Sequence, residues 1–325
     1  MADVAAVAGV SGQTVSRVVN DSPRVDPATR SRVEAAMAEL GYRPHRAARA
    51  LRTGRTQTIG LVVSTLATVG NSRMLQAVAD AAAARGYALT VVTLGAAPDV
   101  ASAYERLTEQ GVDGAVVLNE ATAAARGTAP PRGLRLVVVD APPDTQGAGV
   151  VQSDHAGGAR VATAHLLGLG HDTVHHLAGP ADSFAAAERE RGWREALAAA
   201  GRPAPGLVRG DWTAASAHSA AARLVADTSV TAVFAANDQS ALGTIRAFSD
   251  AGRSVPADVS VVGFDDVADA AHYRPPLTTV RQDFDRLGEL AVEALVAGIE
   301  DGSAGFHAVP TSLVVRESTA PPPAG

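Results

Sequence analysis

At 325 residues, 46% of them hydrophobic, the chain has room for a small domain beside a larger one with a buried core. It holds no run of 18 apolar residues and no charged-then-apolar leader, so neither a membrane span nor export is expected, and the cytoplasm is the expected compartment. Cysteine and lysine are both absent, which excludes disulfides, thiolate nucleophiles, cysteine-ligated zinc, lysine Schiff bases and the Walker A phosphate loop.

Charge is unevenly spread. The formal net charge is -6, yet residues 1–55 hold 9 arginines against 5 acidic residues, leaving an acidic body behind a basic end. A basic module on an acidic body directs phosphate contact to one surface. In chain order, the first element pair is Asp3-Val4-Ala5, Ala8-Gly9-Val10-Ser11 and Thr14-Val15-Ser16-Arg17-Val18-Val19-Asn20, two short helices around a tight turn. Gly9 is placed to end the first helix in a left-handed conformation, and Ser11 is placed to cap the second. Val4, Ala5, Ala8, Val10, Val15 and Val18 form an apolar seam that leaves Gly12, Gln13, Ser16 and Arg17 outward. Gln and Arg are the side chains that read adenine and guanine edges in the major groove, so the pair reads as a helix-turn-helix. Asp26-Pro27 then starts a third helix with Val33, Ala36, Met37 and Leu40 at helical spacing, closed by Gly41. The arginine-rich segment 42–55 has good helix formers but is too short to hold a helix alone, and is expected to order on a partner.

From Thr58 onward, β-branched runs at 59–63, 88–94, 114–118, 136–139, 174–177, 232–235 and 259–264 alternate with alanine-rich helical stretches. That alternation predicts parallel sheet with crossover helices. The number of elements exceeds one doubly wound sheet, so two lobes with a cleft are expected, the strand-end loops of both facing it. The strand-end loops offer Asn237-Asp238, Asp265-Asp266 and Gln282-Asp283-Phe284, with Arg189 before Gly192-Trp193 and Trp212 in Gly210-Asp211-Trp212. Asp238 and Asp266 read equally well as caps of the following helices. His171, His175 and His176 do not make a metal site, because the last two point to opposite faces of a strand. No G-x-G-x-x-G loop and no nucleophile elbow is present, so no catalytic residue, cofactor or metal is expected and the chain does not read as an enzyme.

The order D-V-A, A-G-V-S, T-V-S-R-V-V-N, V-x-A-A-M-A-E-L-G-Y-R-P and L-R-T-G-R-T-x-T-I-G, continuing to Glu317-Ser318-Thr319, resembles the lactose-repressor family of bacterial transcription regulators over nearly the whole chain. The resemblance implies a small all-α helix-turn-helix headpiece (1–44), a hinge helix and linker (45–57) and a two-lobed α/β core like that of periplasmic binding proteins (58–325). Lobe 1 would comprise about 58–154 and 283–312, and lobe 2 about 155–282 and 313–318. Crossings are expected near 140–154, 277–284 and 312, with 319–325 a disordered tail. It assigns DNA contact to Ser11, Gln13, Thr14, Ser16, Arg17 and Asn20 in the headpiece and to His45, Arg46 and Leu51 in the hinge. Leu51 holds the place of a leucine that wedges into the minor groove, where unstacking is offset by contact surface gained on a kinked duplex.

The same resemblance places Arg189, Trp212, Asn237, Asp265, Gln282 and Phe284 at effector-contacting positions, together with Thr68 and Asn71. Asp154 stands where many sugar-binding members have an aspartate, the N-cap of the next helix being its equal alternative. Thr68, Gly70 and Asn71 depart from the lactose-responsive pattern and leave the sugar open. Gly12 stands in place of a base-reading tyrosine, which shifts the expected operator. The chain starts two residues before Asp3, without the threonine that caps the first helix there; either translation starts upstream or DNA affinity is reduced. No leucine heptads follow Arg316-Glu317-Ser318, so a dimer without the tetramerisation tail is expected. The expected function is a dimeric, operator-binding repressor released by a galactoside-like inducer. The alternatives are a transport-type sugar-binding protein, or a regulator in which the ligand is a corepressor.

Overall fold

The computed structural model describes residues 1–20, 22–42, 54–95, 99–118, 121, 125, 128–145 and 147–323. Contacts divide it into two units, Met1–Gln57 and Thr58–Gly325. The expected hinge contacts His45, Arg46 and Leu51 lie outside the described residues.

The first unit is built from α1 (Ala2–Ala8), α2 (Gly12–Val19) and α3 (Pro27–Glu39). Gly9 ends α1 at φ 63°, and the Ser11 hydroxyl accepts the Thr14 N–H at 3.1 Å. Asp26 caps α3 by accepting the Thr29 N–H at 3.0 Å, with Pro27 at the first helical position. Val4, Ala5, Ala8, Val15, Val18, Val33 and Ala36 form one buried cluster, so the seam read from the sequence is the core. Burying these small side chains contributes on the order of 1 to 2 kcal/mol each, enough for a three-helix unit only because all three helices share the seam.

The second unit has two six-stranded sheets. In the first, β1 (Thr58–Val63), β2 (Ala88–Thr93), β3 (Gly114–Val117), β4 (Arg135–Val139), β5 (Ala148–Ser153) and β11 (Phe306–Val309) lie in the order β11-β5-β4-β3-β1-β2, all parallel. In the second, β6 (His175–Ala178), β7 (Val208–Arg209), β8 (Ala232–Ala235), β9 (Ser260–Asp265), β10 (Thr278–Arg281) and β12 (Ser312–Val314) lie in the order β12-β10-β9-β8-β6-β7, with only β12 antiparallel. Helices cover both faces of each sheet, which is why the strands read as unbroken apolar runs rather than alternating ones. Leu61, Val116 and Val137 pack under α4 (Val69–Ala84) and α10 (Phe284–Asp301), whereas the alternate residues Val62, Val117 and Val138 pack under α5 (Val100–Glu109) with Tyr104 and Leu107. In the second lobe, Phe234, Val262 and Phe264 meet α6 (His155–Gly168) and α7 (Phe184–Ala199) around Trp193. Val233, Ala235 and Val261 meet α8 (Ala214–Val225) and α9 (Asp238–Asp250).

The chain passes between lobes three times: between β5 and α6, between β10 and α10, and between β11 and β12. At its start, residues 319–320, the expected disordered tail is corrected by the structure. The Ala320 N–H donates to Ser260 Oγ at 2.9 Å and Ala320 O lies 3.0 Å from His171 Nε2, while Thr319 Oγ1 lies 3.0 Å from His165 Nε2. Ser318 is fully buried and its hydroxyl donates to Val261 O at 2.6 Å. Backbone that satisfies the polar groups at the start of β9 cannot be loose end.

Candidate functional site between the lobes

The strand-end loops of both lobes converge on one cleft, lined among others by Thr68, Asn71, Asp140, Arg189, Trp212, Asn237, Asp265, Gln282 and Phe284. Each polar group is held by its element. Arg189 projects from α7 and is buried; its guanidinium donates to Ala236 O, lies 3.6 Å from Asp265 Oδ1 and sits over the Phe264 ring at 3.8 Å. Asn237 caps α9 by accepting the Ser240 N–H at 2.8 Å, while its Nδ2 donates to Trp212 O at 3.1 Å. Capping and cleft lining are thus one role, not two competing ones. Gln282 Nε2 donates to Asp265 Oδ1 at 2.6 Å. Phe284 occupies the first turn of α10, whose N-cap Asp283 accepts the Arg286 N–H at 2.9 Å.

Three residues of the lining, Asp140 (φ 60°), Trp212 (φ 76°) and Asp265 (φ 116°), have left-handed backbones that L-residues adopt at a cost of roughly 1 to 3 kcal/mol each. Such conformations persist where surrounding structure over-determines them, and here they aim one carboxylate from each lobe and an indole at the same space. Burial pushes the Asp265 carboxyl up, while Arg189 and Gln282 pull it back. Asp238 is neither cap nor lining: buried below the cleft, it accepts from Thr279 Oγ1 at 2.5 Å and from the Val267 N–H at 2.8 Å, and burial beside Asp265 raises its pKa well above the ordinary aspartate value. Asp266 binds Arg281 and Arg316 at 2.6 Å each.

The chain matches, at residues 1–45, the model of the bacterial regulatory proteins of the lacI family and, at residues 163–319, that of a periplasmic binding protein-like domain. It is 38% identical over 330 residues to the lactose operon repressor of Escherichia coli K12, covering 98% of this chain and 90% of the relative. It is also 38% identical over 333 residues to the transcriptional regulator CelR of Thermobifida fusca, covering 97% and 96%. The chain belongs to the lacI family of bacterial regulatory proteins. Among solved structures, the lac repressor dimer bound to operator and the anti-inducer ONPF superposes at a TM-score of 0.87 with 35% identity and 98% coverage of both chains. The CelR-cellobiose complex superposes at 0.74 with 35% identity, covering 97% and 98%. These relatives are transcriptional regulators and not enzymes.

In this lacI-family chain the headpiece positions expected to contact DNA are accessible on α2 and its caps. Ser11, Gln13, Arg17 and Asn20 are exposed, Thr14 and Ser16 are half-buried, and Thr14 and Arg17 border a groove with Arg24 and Thr29. Thr68 lines the cleft as N-cap of α4, and Asn71 lines it with its Nδ2 donating to Thr65 O at 2.9 Å. Asp154 is the one expected cleft residue that falls outside the lining. It is exposed and accepts the Gly157 N–H at 2.8 Å as N-cap of α6, so the local capping pattern accounts for it. Sequence reasoning missed Asp140 and Ser183, both buried in the lining, and His155 behind them. Asp140 had a signal: it ends the apolar run of β4 in front of Ala141-Pro142-Pro143, the strand-end position at which open α/β sheets present ligand contacts.

Proposed function

We propose that the chain is a dimeric repressor of the bacterial cytoplasm that holds operator DNA until a small galactoside-like sugar binds the cleft. The observation that carries this reading is the combination at one place of Arg189, Asp265, Gln282 and Asn237 with the aromatic residues Trp212 and Phe284. A fork of charge-assisted donors beside carboxylate and amide acceptors matches vicinal hydroxyls, and an aromatic face matches the apolar side of a pyranose. The lactose and ribose operon repressors and the CelR-cellobiose complex support a sugar as the ligand class. In the headpiece, Gln13 and Arg17 read base edges, with Ser11, Thr14, Ser16 and Asn20 beside them on the phosphates; His45, Arg46 and Leu51 extend the contact into the minor groove. A two-fold dimer doubles these contacts on a near-palindrome. Release requires that the sugar bind the DNA-incompetent arrangement more tightly, about 1.4 kcal/mol of coupling for each tenfold loss of operator affinity.

The test is fluorescence anisotropy at fixed salt on palindromes from the DNA upstream of the coding sequence, with and without D-galactose, methyl β-D-galactoside, D-glucose and cellobiose. Release by a galactoside supports the proposal. Tightening by sugar reverses the sign to a corepressor, and a response to glucosides alone moves the effector class.

A further inference from the structure

Behind the lining, and not part of it, lies His155, the first residue of α6 after the chain first crosses from lobe 1 to lobe 2. It is 2% exposed, and its two ring nitrogens face two different lobes. Nε2 lies 2.7 Å from Oδ1 of Asp140, at the end of β4 in lobe 1. Nδ1 lies 3.4 Å from Nε of Arg189, on α7 in lobe 2. Arg189 has only donors, so Nδ1 must carry a lone pair; Asp140 offers an acceptor, so Nε2 carries the hydrogen. The two neighbours therefore select one neutral tautomer, and that tautomer in turn fixes both of them.

The geometry points to His155 as a positioning residue of the cleft, which holds the lobe 1 carboxylate of Asp140 and the lobe 2 guanidinium of Arg189 in register so that both can grip one ligand. It deepens the proposed effector site and rests on that reading. The groups that face the ring are Asp140 from lobe 1, Arg189 from α7, with Asp265 beyond Arg189 at 3.6 Å, and the Phe264 ring at 5.9 Å between centroids.

Two substitutions separate the two arms. His155→Gln can keep a donor toward Asp140 and lacks the acceptor for Arg189; His155→Asn can keep an acceptor near Nδ1 and falls short of Asp140; His155→Ala lacks both. Affinity for methyl β-D-galactoside, by calorimetry on the full-length protein, is expected to fall about fivefold in each single-arm variant and further in His155→Ala, with melting temperature followed to exclude a folding defect. A readout without sugar comes from tryptophan emission. Trp193 is sealed with its Nε1 donating to Val174 O at 2.8 Å, whereas the Trp212 ring has Arg189 at 5.4 Å, so a displaced guanidinium shifts the Trp212 component. His155→Ala is expected to shift the emission of the sugar-free protein. An unshifted spectrum together with sugar binding within twofold of the parent overturns the inference. If no sugar of the panel binds the parent protein, the proposed effector fails, and the sugar-free spectrum alone then decides the role of His155.

Discussion

The guanidinium of Arg189 lies over the Phe264 ring, 3.8 Å from its centroid, and 5.4 Å from the centroid of Trp212. The planar fork can lie on a ring face and still donate along its edge to Ala236 O, which an ammonium group cannot do. Arg189→Lys should therefore keep the charge near Asp265 and lose the fork, with sugar affinity falling by roughly 10- to 100-fold and operator affinity retained. Calorimetry with the sugars that release operator, beside anisotropy on the same protein, checks this; retained sugar affinity removes Arg189 from the grip.

Arg17 lies exposed in the last turn of α2, beside the groove that also holds Thr14 and Arg24. Arg17→Ala should cost roughly 1 to 3 kcal/mol of operator affinity and relax specificity at one base pair, in contrast to a phosphate contact, whose loss weakens all sequences alike. Binding to a set of single-base operator variants distinguishes the two, and unchanged affinity for the parent site takes Arg17 off the reading surface.

Gly192 of α7 packs its bare Cα on the backbone of Ala156 in α6, and a methyl group there would collide with the Ala156 carbonyl. A rigid backbone neighbour cannot step aside as a flexible side chain can. Gly192→Ala should destabilise the core by about 1 to 3 kcal/mol, read by urea unfolding; a loss below about half a kcal/mol means that α6 and α7 slide apart at little cost.

His176 is buried in the second lobe, stacked on Phe234 at 4.7 Å with its Nδ1 donating to Phe234 O at 2.8 Å. Burial depresses its pKa from 6.5 to about 4. For a base with a depressed native pKa the unfolded chain binds the extra proton, so the contribution is fully present above pH 6.5, lost progressively as pH falls toward about 4, and constant below that. His176→Phe should flatten this part of the stability profile. Because the variant leaves Phe234 O without its donor, the slopes and not the absolute stabilities are compared; parallel profiles would show that other groups set the acid loss.

The headpiece was legible because its signals are local: Ser11 caps within three residues, Asp26-Pro27 starts α3, and Val4, Val15 and Val33 recur at helical spacing. The strands β1, β2, β3, β4, β6, β8 and β9 were legible for the same reason, as short β-branched runs. The strands β5, β7, β10, β11 and β12 were not. Phe306-His307-Ala308-Val309 is mostly exposed and Ser312-Leu313-Val314 partly so, and they are strands only because β5 and β10 offer them backbone partners. The start of the expected tail showed a related gap, since proline content says nothing of the Ser260 hydroxyl that binds Ala320.

Among the cleft residues, a strand-end position with the right side chain was readable for Asn237, Asp265 and Gln282, and the resemblance to a family supplied the rest of the list, Arg189 on α7 included. Asp154 shows the limit of that reasoning, because a residue that caps its own helix satisfies the pattern without facing the cleft. What the sequence alone determined is the three headpiece helices with the Ser11 and Asp26 caps and seven of the strands, all of which follow from patterns within a few residues. The tertiary structure alone decided that Asp140, His155 and Arg189, distant along the chain and on two lobes, meet in one buried row. The direction of a polar side chain there depends on which distant partner satisfies it once water is excluded, and no local pattern encodes that partner.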